Sequence, residues 1–558
     1  MVSGIARGRQ GLSLLLRAGF ALLAGYLHAC AIAAPWDGQP VWWLQIIALG
    51  ALVALVQRAP SVKLAALLGW LFAASWLAGS VWWLFTSMHT FGGLAAPLAV
   101  AAVLALSGFM AIFYAVACAV YKRFSHLGPQ NTAQAAIVFA ACWLLAELVR
   151  DTWLTGFPWA AGGYAQVDGP LAYSATHIGV YGVGFVASLL AWLCAWVMQQ
   201  RRIKLAAGTA ALLLIVYGAS AHWWQSDVFT SPGQRTSVAL LQGNIPQGEK
   251  FEPSKGIPVA LDWYAQQLLA STATLTIAPE TAIPLLPRQL PDGYLTPLQN
   301  KFAPPARSSS TAPVQAGSAP PVGAESTPSV RPEPAQVQAA LMGMPMGDFD
   351  IGYTNSAVGL KPGQAAPYRY DKHHLVPFGE VIPPWFKWFT QMMKIPLGDF
   401  NRGDVGQPSF IHAGQRFAPN ICYEDLFGDE LAARFLDEAS APTVLVNLSN
   451  IGWFGNSIAI DQHLHISRMR AIELGRPMVR ATNTGPTVII NHRGQVTHSL
   501  ARHTRGVLLG EVEGRTGTTP YAWWAARYSL GPLWGLAIAT ILIAGYASFI
   551  RARAKNSR

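Results

Sequence analysis

Three reactive side chains of different chemical types lie along one polar part of the chain. They are Glu280, Lys372 and Cys422, and together they span 143 positions. A carboxylate can accept a proton, a thiol can attack a carbonyl carbon, and an ammonium can stabilise the oxyanion that results. These three groups suffice for acyl transfer through a thioester, provided that the fold brings them into one pocket.

Each of the three residues also has an ordinary structural explanation. Glu280 follows a proline and could begin a helix, Lys372 could be a solvated charge, and Cys422 could be a small core residue. Their surroundings favour a site, because an apolar, strand-like run precedes both Glu280 and Cys422. We therefore expect both side chains at strand ends, where one pocket can collect them.

The region that carries these residues has the pattern of an α/β domain. Short apolar runs typical of buried strands occur at 237–242, 273–278, 443–447 and 486–491, and helical stretches occur at 257–270 and 459–474. Residues 303–336 are rich in Ala, Pro, Ser and Gly and are expected to form a disordered surface insertion. We place the catalytic domain at 233–518.

The chain as a whole has the composition of a membrane protein. Of 558 residues, 52% are hydrophobic and only 12% are charged. Apolar runs long enough, or nearly long enough, to cross a bilayer of about 30 Å lie at 12–34, 41–56, 64–87, 94–120, 133–149, 173–198, 205–221 and 529–550. These runs predict about eight transmembrane helices, seven in a bundle at 1–232 and one in the segment 519–558 that also carries a C-terminal tail.

Positive charges predict the orientation of these helices. Lys and Arg cluster before the first span, in every second short loop and after the last span, whereas the alternate loops at 35–40 and 88–93 have none. We therefore expect both termini in the cytoplasm and the catalytic domain on the opposite side. The net charge of +11 is largely explained by these anchors, which leaves no reason to predict nucleic-acid binding.

Several polar and aromatic residues near the membrane are expected to have structural roles. Glu147 and Arg150 could bridge one helical turn, and Tyr521, Trp523 and Trp524 are typical of an aromatic belt. The five cysteines show no metal or disulfide spacing, and we predict neither a metal nor a cofactor.

The motifs around the reactive residues resemble those of the nitrilase superfamily of carbon–nitrogen hydrolases. With the flanking spans, the resemblance narrows to the apolipoprotein N-acyltransferases of the bacterial inner membrane. It rests on Gly-Phe-Pro-Trp at 156–159, Gln-Gly-Asn-Ile-Pro-Gln at 242–247, Pro-Glu-Thr at 279–281, Val-Pro-Phe-Gly-Glu at 376–380 and Cys-Tyr-Glu at 422–424. The resemblance implies an αββα sandwich fold for the catalytic domain, and a periplasmic location for it.

The resemblance also implies a reaction and a role for each reactive residue. An acyl chain would pass from a phospholipid to Cys422, the nucleophile, and then to the α-amino group of a diacylglyceryl-cysteine at a lipoprotein N-terminus. Glu280 would be the general base, Lys372 would stabilise the oxyanion, and Glu380 would be a supporting carboxylate. Phospholipid and lipoprotein are thus the expected partners, and nothing in the sequence demands more than a monomer.

Further residues are expected to contact the substrate. Tyr423 and Glu424 would shape the pocket beside Cys422, and Phe251 stands where the family pattern often has Trp. The aromatic stretch at 382–396, which contains Trp385 and Phe386, suits the membrane boundary, and we expect it to gate the pocket. The loop at 450–455 also departs from the family pattern, because Ile451 replaces the usual acidic residue.

Two other functions are compatible with parts of the sequence. An anchored amidase or nitrilase would use the same three residues with water as the acceptor, but eight spans exceed what tethering needs. A transporter with an accessory domain would be expected to show internal repeats and broken helices at mid-membrane, and no repeat is evident.

Overall fold

The chain forms a helical membrane bundle joined to a two-sheet α/β domain in a computed structural model. The structure describes residues 2–124, 132–200, 208, 215, 218, 227–303, 337–364, 366–381 and 399–556. The bundle contains α1 (Val2–Ile32), α2 (Trp42–Gln57), α3 (Val62–Val81), α4 (Ala96–Phe124), α5 (Thr132–Thr152) and α6 (Ala175–Gln200). The C-terminal helix α12 (Gly531–Asn556) packs against α5.

Within the described residues, six helices are long and apolar enough to cross a membrane, and α2 is a shorter apolar helix. These seven helices coincide with seven of the eight predicted spans. The remaining span, at 205–221, falls almost entirely outside the described residues, as does the predicted insertion at 303–336. The bundle core is aromatic, with Trp76 and Trp143 stacked at a centroid distance of 5.9 Å.

The described residues of the catalytic domain form two six-stranded sheets. The first has the order β12-β1-β2-β3-β4-β5 and the second has the order β11-β10-β9-β8-β7-β6. The strands of the first are β1 (Thr230–Gln242), β2 (Leu275–Ile277), β3 (Ala339–Asp348), β4 (Gly352–Leu360), β5 (Tyr368–Asp371) and β12 (Gly506–Gly517). The strands of the second are β6 (Phe410–His412), β7 (Gln415–Ile421), β8 (Val444–Ser449), β9 (Met478–Thr482), β10 (Thr487–Ile490) and β11 (Val496–Leu500).

Helices cover the outer face of each sheet, which gives the predicted four-layer α/β arrangement. Apolar residues such as Leu240, Ile277 and Val446 fill the space between the sheets. The helices α7 (Gly256–Ala270) and α8 (Thr296–Phe302) pack on the first sheet. The helices α9 (Gly428–Ala432), α10 (Ala459–Leu474) and α11 (Pro520–Tyr528) pack on the second. All four strands and both helices predicted from the sequence are present.

Helix α10 joins the catalytic domain to the membrane bundle. Gln462 Oε1 accepts hydrogen bonds from the indole nitrogens of Trp83 and Trp159, at 3.1 and 2.8 Å. Further along the helix, Glu473 Oε1 accepts a hydrogen bond of 2.5 Å from the Val180 backbone N–H in α6. The two parts of the molecule are therefore connected by buried, directional contacts.

Two expectations about residues near the membrane are wrong. Glu147 and Arg150 do not bridge each other; Glu147 accepts from the Gly162 backbone N–H, and Arg150 donates to the carbonyls of Phe157 and Trp159. Both therefore hold the loop that follows α5. Tyr521 is buried in the core beneath the second sheet instead of lying in an aromatic belt, because α11 packs on the catalytic domain.

Candidate active site

The reactive residues lie just beyond the ends of three strands. Lys372 follows β5 directly, Cys422 follows β7 directly, and Glu280 lies three residues beyond β2. Because β2 and β5 belong to one sheet and β7 to the facing sheet, the packing of the two sheets brings all three together. All three side chains are buried or nearly so.

Lys372 lies between two carboxylates. Its Nζ atom is 3.4 Å from Glu280 Oε1 and 2.8 Å from Glu380 Oε2. Burial alone would lower the pKa of Lys372, but the charges of Glu380, Glu280 and Cys422 outweigh it and raise that pKa. The lysine is therefore a permanent cation at the centre of the site.

Asn355 in β4 fixes both carboxylates, and the sequence analysis did not identify it. Its Nδ2 atom donates to Glu280 Oε1 at 2.7 Å and to Glu380 Oε1 at 2.8 Å. Glu280 Oε2 also accepts from the Asn450 backbone N–H at 2.8 Å. Burial opposes ionisation of Glu280, but Lys372, Asn355 and Lys250 together lower its pKa. Glu280 is thus held as a carboxylate that accepts from Asn355, the Asn450 backbone N–H and Lys372.

A glycine makes room for this arrangement on β3. A Cβ atom at Gly343 would lie 2.4 Å from the Pro279 carbonyl oxygen and 2.7 Å from the Glu280 Cα atom. Any larger residue would displace the backbone that carries Glu280.

Cys422 occupies a strained position on a sharp turn. Its φ of 53° lies in the left-handed region, which is uncommon for residues other than glycine. Burial and the charge of Glu280 raise the pKa of its thiol to about 12. The resting sulfur is therefore a thiol that needs a base, and the nearby carboxylate of Glu280 can supply one.

A buried polar network holds the Cys422 backbone from behind. His463 Nε2 lies 2.8 Å from Asp425 Oδ1 and 3.2 Å from the Cys422 carbonyl oxygen. Arg480 donates to His463 Nδ1 at 2.8 Å, so the ring proton resides on Nε2, which can donate to both oxygens. No local sequence pattern indicates this network, since its members come from β9, α10 and the turn after β7.

Glu424 ties the turn after β7 to the segment after β5. Its carboxylate accepts from the backbone N–H groups of Ile421, His373 and His374, at 2.6, 2.6 and 3.2 Å. Tyr370 Oη donates to the same carboxylate at 2.8 Å. Glu424 therefore links the segment that carries Lys372 to the turn that carries Cys422, and its expected contact with substrate stays a prediction.

The predicted substrate-contact residues fall into three groups. Tyr423 is buried and donates to the Gly156 carbonyl at 3.2 Å, so it joins the turn at Cys422 to the loop after α5. Phe251 is half-buried, and its ring lies 5.9 Å from Lys250 Nζ. Trp385 and Phe386, with most of the predicted gating stretch, lie outside the described residues. Among the described residues, no group of three or more His, Cys, Asp or Glu could hold a metal ion.

Comparisons with known proteins agree with this architecture. Residues 24–193 match the family model of the apolipoprotein N-acyltransferase N-terminal domain, and residues 237–521 match that of carbon-nitrogen hydrolases. The apolipoprotein N-acyltransferase of Verminephrobacter eiseniae is 54% identical over 92% of this chain and 93% of that protein. The chain belongs to the apolipoprotein N-acyltransferase family. The relative from Ralstonia nicotianae is 41% identical over 94% of this chain and 92% of its own.

Membership of this family makes the chain a membrane-bound enzyme with a carbon–nitrogen hydrolase domain. A solved carbon-nitrogen hydrolase from Helicobacter pylori is 14% identical, with a TM-score of 0.33, over 53% of this chain and 94% of that one. The described residues outside the hydrolase domain are mostly helical, and the first family model covers α2 to α5 with parts of α1 and α6.

Proposed function

We propose that this protein transfers a fatty acyl chain from a membrane phospholipid, through a thioester on Cys422, to the α-amino group of the N-terminal diacylglyceryl-cysteine of lipoproteins. One observation carries the proposal. In the buried Glu280–Lys372–Cys422 cluster, Cys422 is followed directly by Tyr423. The Tyr423 hydroxyl donates to the carbonyl of Gly156, in the loop that follows the membrane helix α5. The thiol is therefore joined directly to the membrane part of the molecule, which supports a lipid donor, and the relatives' names support a lipoprotein acceptor.

In the first half-reaction, the Cys422 sulfur attacks the ester carbonyl carbon of the phospholipid. Its proton moves to Glu280 as the S–C bond forms, because the thiol, with a pKa of about 12, is not ionised beforehand. Lys372 stabilises the oxyanion of the tetrahedral intermediate. When the C–O bond breaks, Glu280 returns the proton to the alkoxide, and a lysophospholipid leaves.

In the second half-reaction, the neutral α-amine of the acceptor attacks the thioester carbonyl. Glu280 takes a proton from the amine, an amide bond forms, and the C–S bond breaks. The same proton then restores the Cys422 thiol. The two steps use one base and one oxyanion cation, so donor and acceptor occupy the site in turn.

Charge distribution supports a location on the outer face of the cytoplasmic membrane. The basic loops predict cytoplasmic termini, and this prediction supports a periplasmic location for the catalytic domain. A cysteine introduced at the exposed position Asp350 tests this orientation. In spheroplasts, an impermeant maleimide is expected to label the Asp350→Cys protein without lysis; labelling only after lysis would invert the topology.

Intact-mass spectrometry in phospholipid micelles tests the acyl-transfer chemistry. Wild-type protein without acceptor is expected to gain the mass of one fatty acyl chain, removable by hydroxylamine, whereas Cys422→Ala gains none. Cys194→Ala in α6 is the matched control and is expected to behave as wild type, since Cys194 lies away from the cluster. A chain that never carries an adduct, yet releases free fatty acid, would instead be a hydrolase.

A further inference from the structure

Gln247 has a side-chain amide whose hydrogen-bonding capacity is only half used. It lies in the loop after β1 and is only 8% exposed. Its Oε1 atom accepts a hydrogen bond of 2.9 Å from Asn450 Nδ2, whereas its Nε2 atom has no hydrogen-bond partner among the described residues. A buried donor without an acceptor costs free energy, and beside a reactive cluster it indicates a group that binds a ligand.

A chain of side-chain amides determines which end of Gln247 is the donor. Asn483 Oδ1 accepts from the Ile245 backbone N–H at 3.0 Å, and Asn483 Nδ2 donates to the Ile245 carbonyl at 2.9 Å. The same Nδ2 atom donates to Asn450 Oδ1 at 3.2 Å, so Asn450 Nδ2 must point towards Gln247. Gln247 therefore presents its oxygen to Asn450, and both N–H bonds of its Nε2 atom are left for a ligand.

The loops that carry these amides meet at the edge of the sheets where the reactive residues lie. Gln247 follows β1, Glu280 follows β2, Asn450 follows β8 and Asn483 follows β9. Strand β1 is parallel to β2, and β7, which precedes Cys422, is parallel to β8 and β9. Asn450 contacts both Gln247 and Glu280, because its Nδ2 donates to the first and its backbone N–H donates to the second at 2.8 Å.

The two carboxylate oxygens of Glu280 have different surroundings. Oε1 accepts from Asn355 Nδ2 and lies 3.4 Å from Lys372 Nζ. Among the described residues, Oε2 accepts only from the Asn450 backbone N–H. A carboxylate oxygen has two lone-pair sites, so Oε2 keeps one that can take a proton. An amine that gives its proton to Oε2 therefore approaches on the side of Asn450 and Gln247.

The chemistry of the acceptor supplies a partner for Gln247 Nε2. The α-amine nitrogen of an N-terminal residue and the carbonyl oxygen of that residue are about 3 Å apart. When the amine lies against Glu280 Oε2, the carbonyl oxygen can turn towards Gln247 and accept the hydrogen bond that Nε2 lacks.

We propose that Gln247 binds the carbonyl oxygen of the acceptor's N-terminal residue through Nε2 and so directs its α-amine towards Glu280 Oε2. The inference rests on the proposed function and deepens it, because it explains how the site distinguishes an N-terminal aminoacyl group from a simple amine. Gln247 is thus a substrate-binding residue, while Glu280, Lys372 and Cys422 keep their roles in the reaction.

The test supplies preformed acyl-enzyme with two acceptors in separate reactions. One is an S-diacylglyceryl-cysteinyl dipeptide, and the other is S-diacylglyceryl-cysteamine, which has the lipid and the amine but no carbonyl group beside the amine. Loss of the acyl chain from the protein, followed by intact mass, gives a rate for each acceptor. Wild type is expected to prefer the dipeptide, and Gln247→Met is expected to reduce that preference about tenfold, the size of one lost hydrogen bond.

The ratio of the two rates within one protein separates substrate binding from a structural role. Damage to the fold or to the position of Glu280 would slow both acceptors together and leave the ratio unchanged. The difference in basicity between the two amines acts equally on every variant. Gln299→Met, which changes an exposed glutamine in α8, is the matched control and should keep the wild-type ratio. If thermal unfolding shows that Gln247→Met is not folded, Gln247→Asn, whose amide is one methylene shorter, is expected to show the same reduced preference.

The possible failures of this inference and of the proposed function are distinct. An unchanged preference in a folded Gln247 variant would overturn the inference and leave the proposed function standing, as would wild-type transfer to both acceptors at equal rates. A wild-type acyl-enzyme that transfers its chain to neither acceptor would overturn the proposed function, and this inference with it.

Discussion

The Nζ atom of Lys372 lies 2.8 Å from Glu380 Oε2, and neither side chain is exposed to a substantial extent. This pair fixes the lysine so that Glu280, at 3.4 Å, remains the less tightly held of its two carboxylates. A base must release its partners to accept a proton, and Glu380 therefore leaves Glu280 available for that role.

Glu380→Gln is expected to slow acylation of Cys422 by about tenfold or more, because Lys372 would then draw Glu280 into a closer ion pair and reduce its basicity. Single-turnover acylation by intact mass measures the effect. The exposed Glu511→Gln variant is the control and should retain the wild-type rate. An unchanged rate in Glu380→Gln would show that the second carboxylate is dispensable.

Asn355→Ala is expected to shift the acid limb of the acylation rate to higher pH by about one unit, the size of one lost hydrogen bond to a charged group. The direction of this shift follows from the pKa of Glu280. Its pKa is lowered in the folded protein, so it stays ionised as pH falls below the ordinary glutamate range. Removal of the Asn355 donor raises that pKa, and protonation then begins at higher pH.

A pH profile from 4 to 7 measures this shift. Asn491→Ala, in the half-buried turn after β10, changes the same residue type away from the site and should leave the profile in place. A uniform loss of rate without any displacement of the acid limb would contradict the assigned link between Asn355 and Glu280.

His463→Phe is expected to lower the acylation rate at least about tenfold with little change in the phospholipid concentration for half-maximal rate. Phenylalanine keeps a ring at this position but removes the donor to Asp425 and to the Cys422 carbonyl. The strained turn at Cys422 is then no longer held by these hydrogen bonds. His463→Gln retains a donor at the position of Nε2 and should recover part of the rate. Equal losses in both variants would indicate a packing role only.

Glu424→Gln is expected to destabilise the catalytic domain by about 2–3 kcal/mol, because an amide N–H₂ would face backbone donors that now find an acceptor. Tyr370→Phe removes only one donor to the same carboxylate and should cost about 1 kcal/mol. Thermal unfolding of the two purified variants in one detergent compares them. A Tyr370→Phe protein that is the less stable of the two would refute this ranking.

Much of the fold could be predicted because its signals are local. Runs of apolar residues predicted seven of the helices now seen, and strand-like runs located four of the twelve strands. The ends of those runs also indicated Glu280 and Cys422. Strand β11, at the edge of the second sheet, was not predicted. Its sequence, Val-Thr-His-Ser-Leu, contains no apolar run because most of its residues are exposed.

Other parts of the site could not be predicted because their partners are far apart in the chain. Asn355 contacts Glu280 across 75 positions, and Gln462 contacts Trp83 across 379. The spacing of three residues between Glu147 and Arg150 indicated an ion pair within one helix. The tight turn at Gly156 instead brings backbone groups of the following loop within hydrogen-bonding distance of both side chains. A Cβ atom at Gly156 would lie 1.8 Å from the Asp151 carbonyl oxygen, so only glycine permits this turn.

The sequence by itself determined the membrane helices, the layered α/β domain and the candidates for the reactive residues, since each depends on residue type and short-range pattern. The tertiary structure decided which charges face one another. It placed Asn355 between two carboxylates, His463 behind Cys422 and Lys250 beside Glu280. These relationships arise from the packing of two sheets and a membrane bundle, and the free energy of a charge depends on that surrounding far more than on its neighbours in the chain.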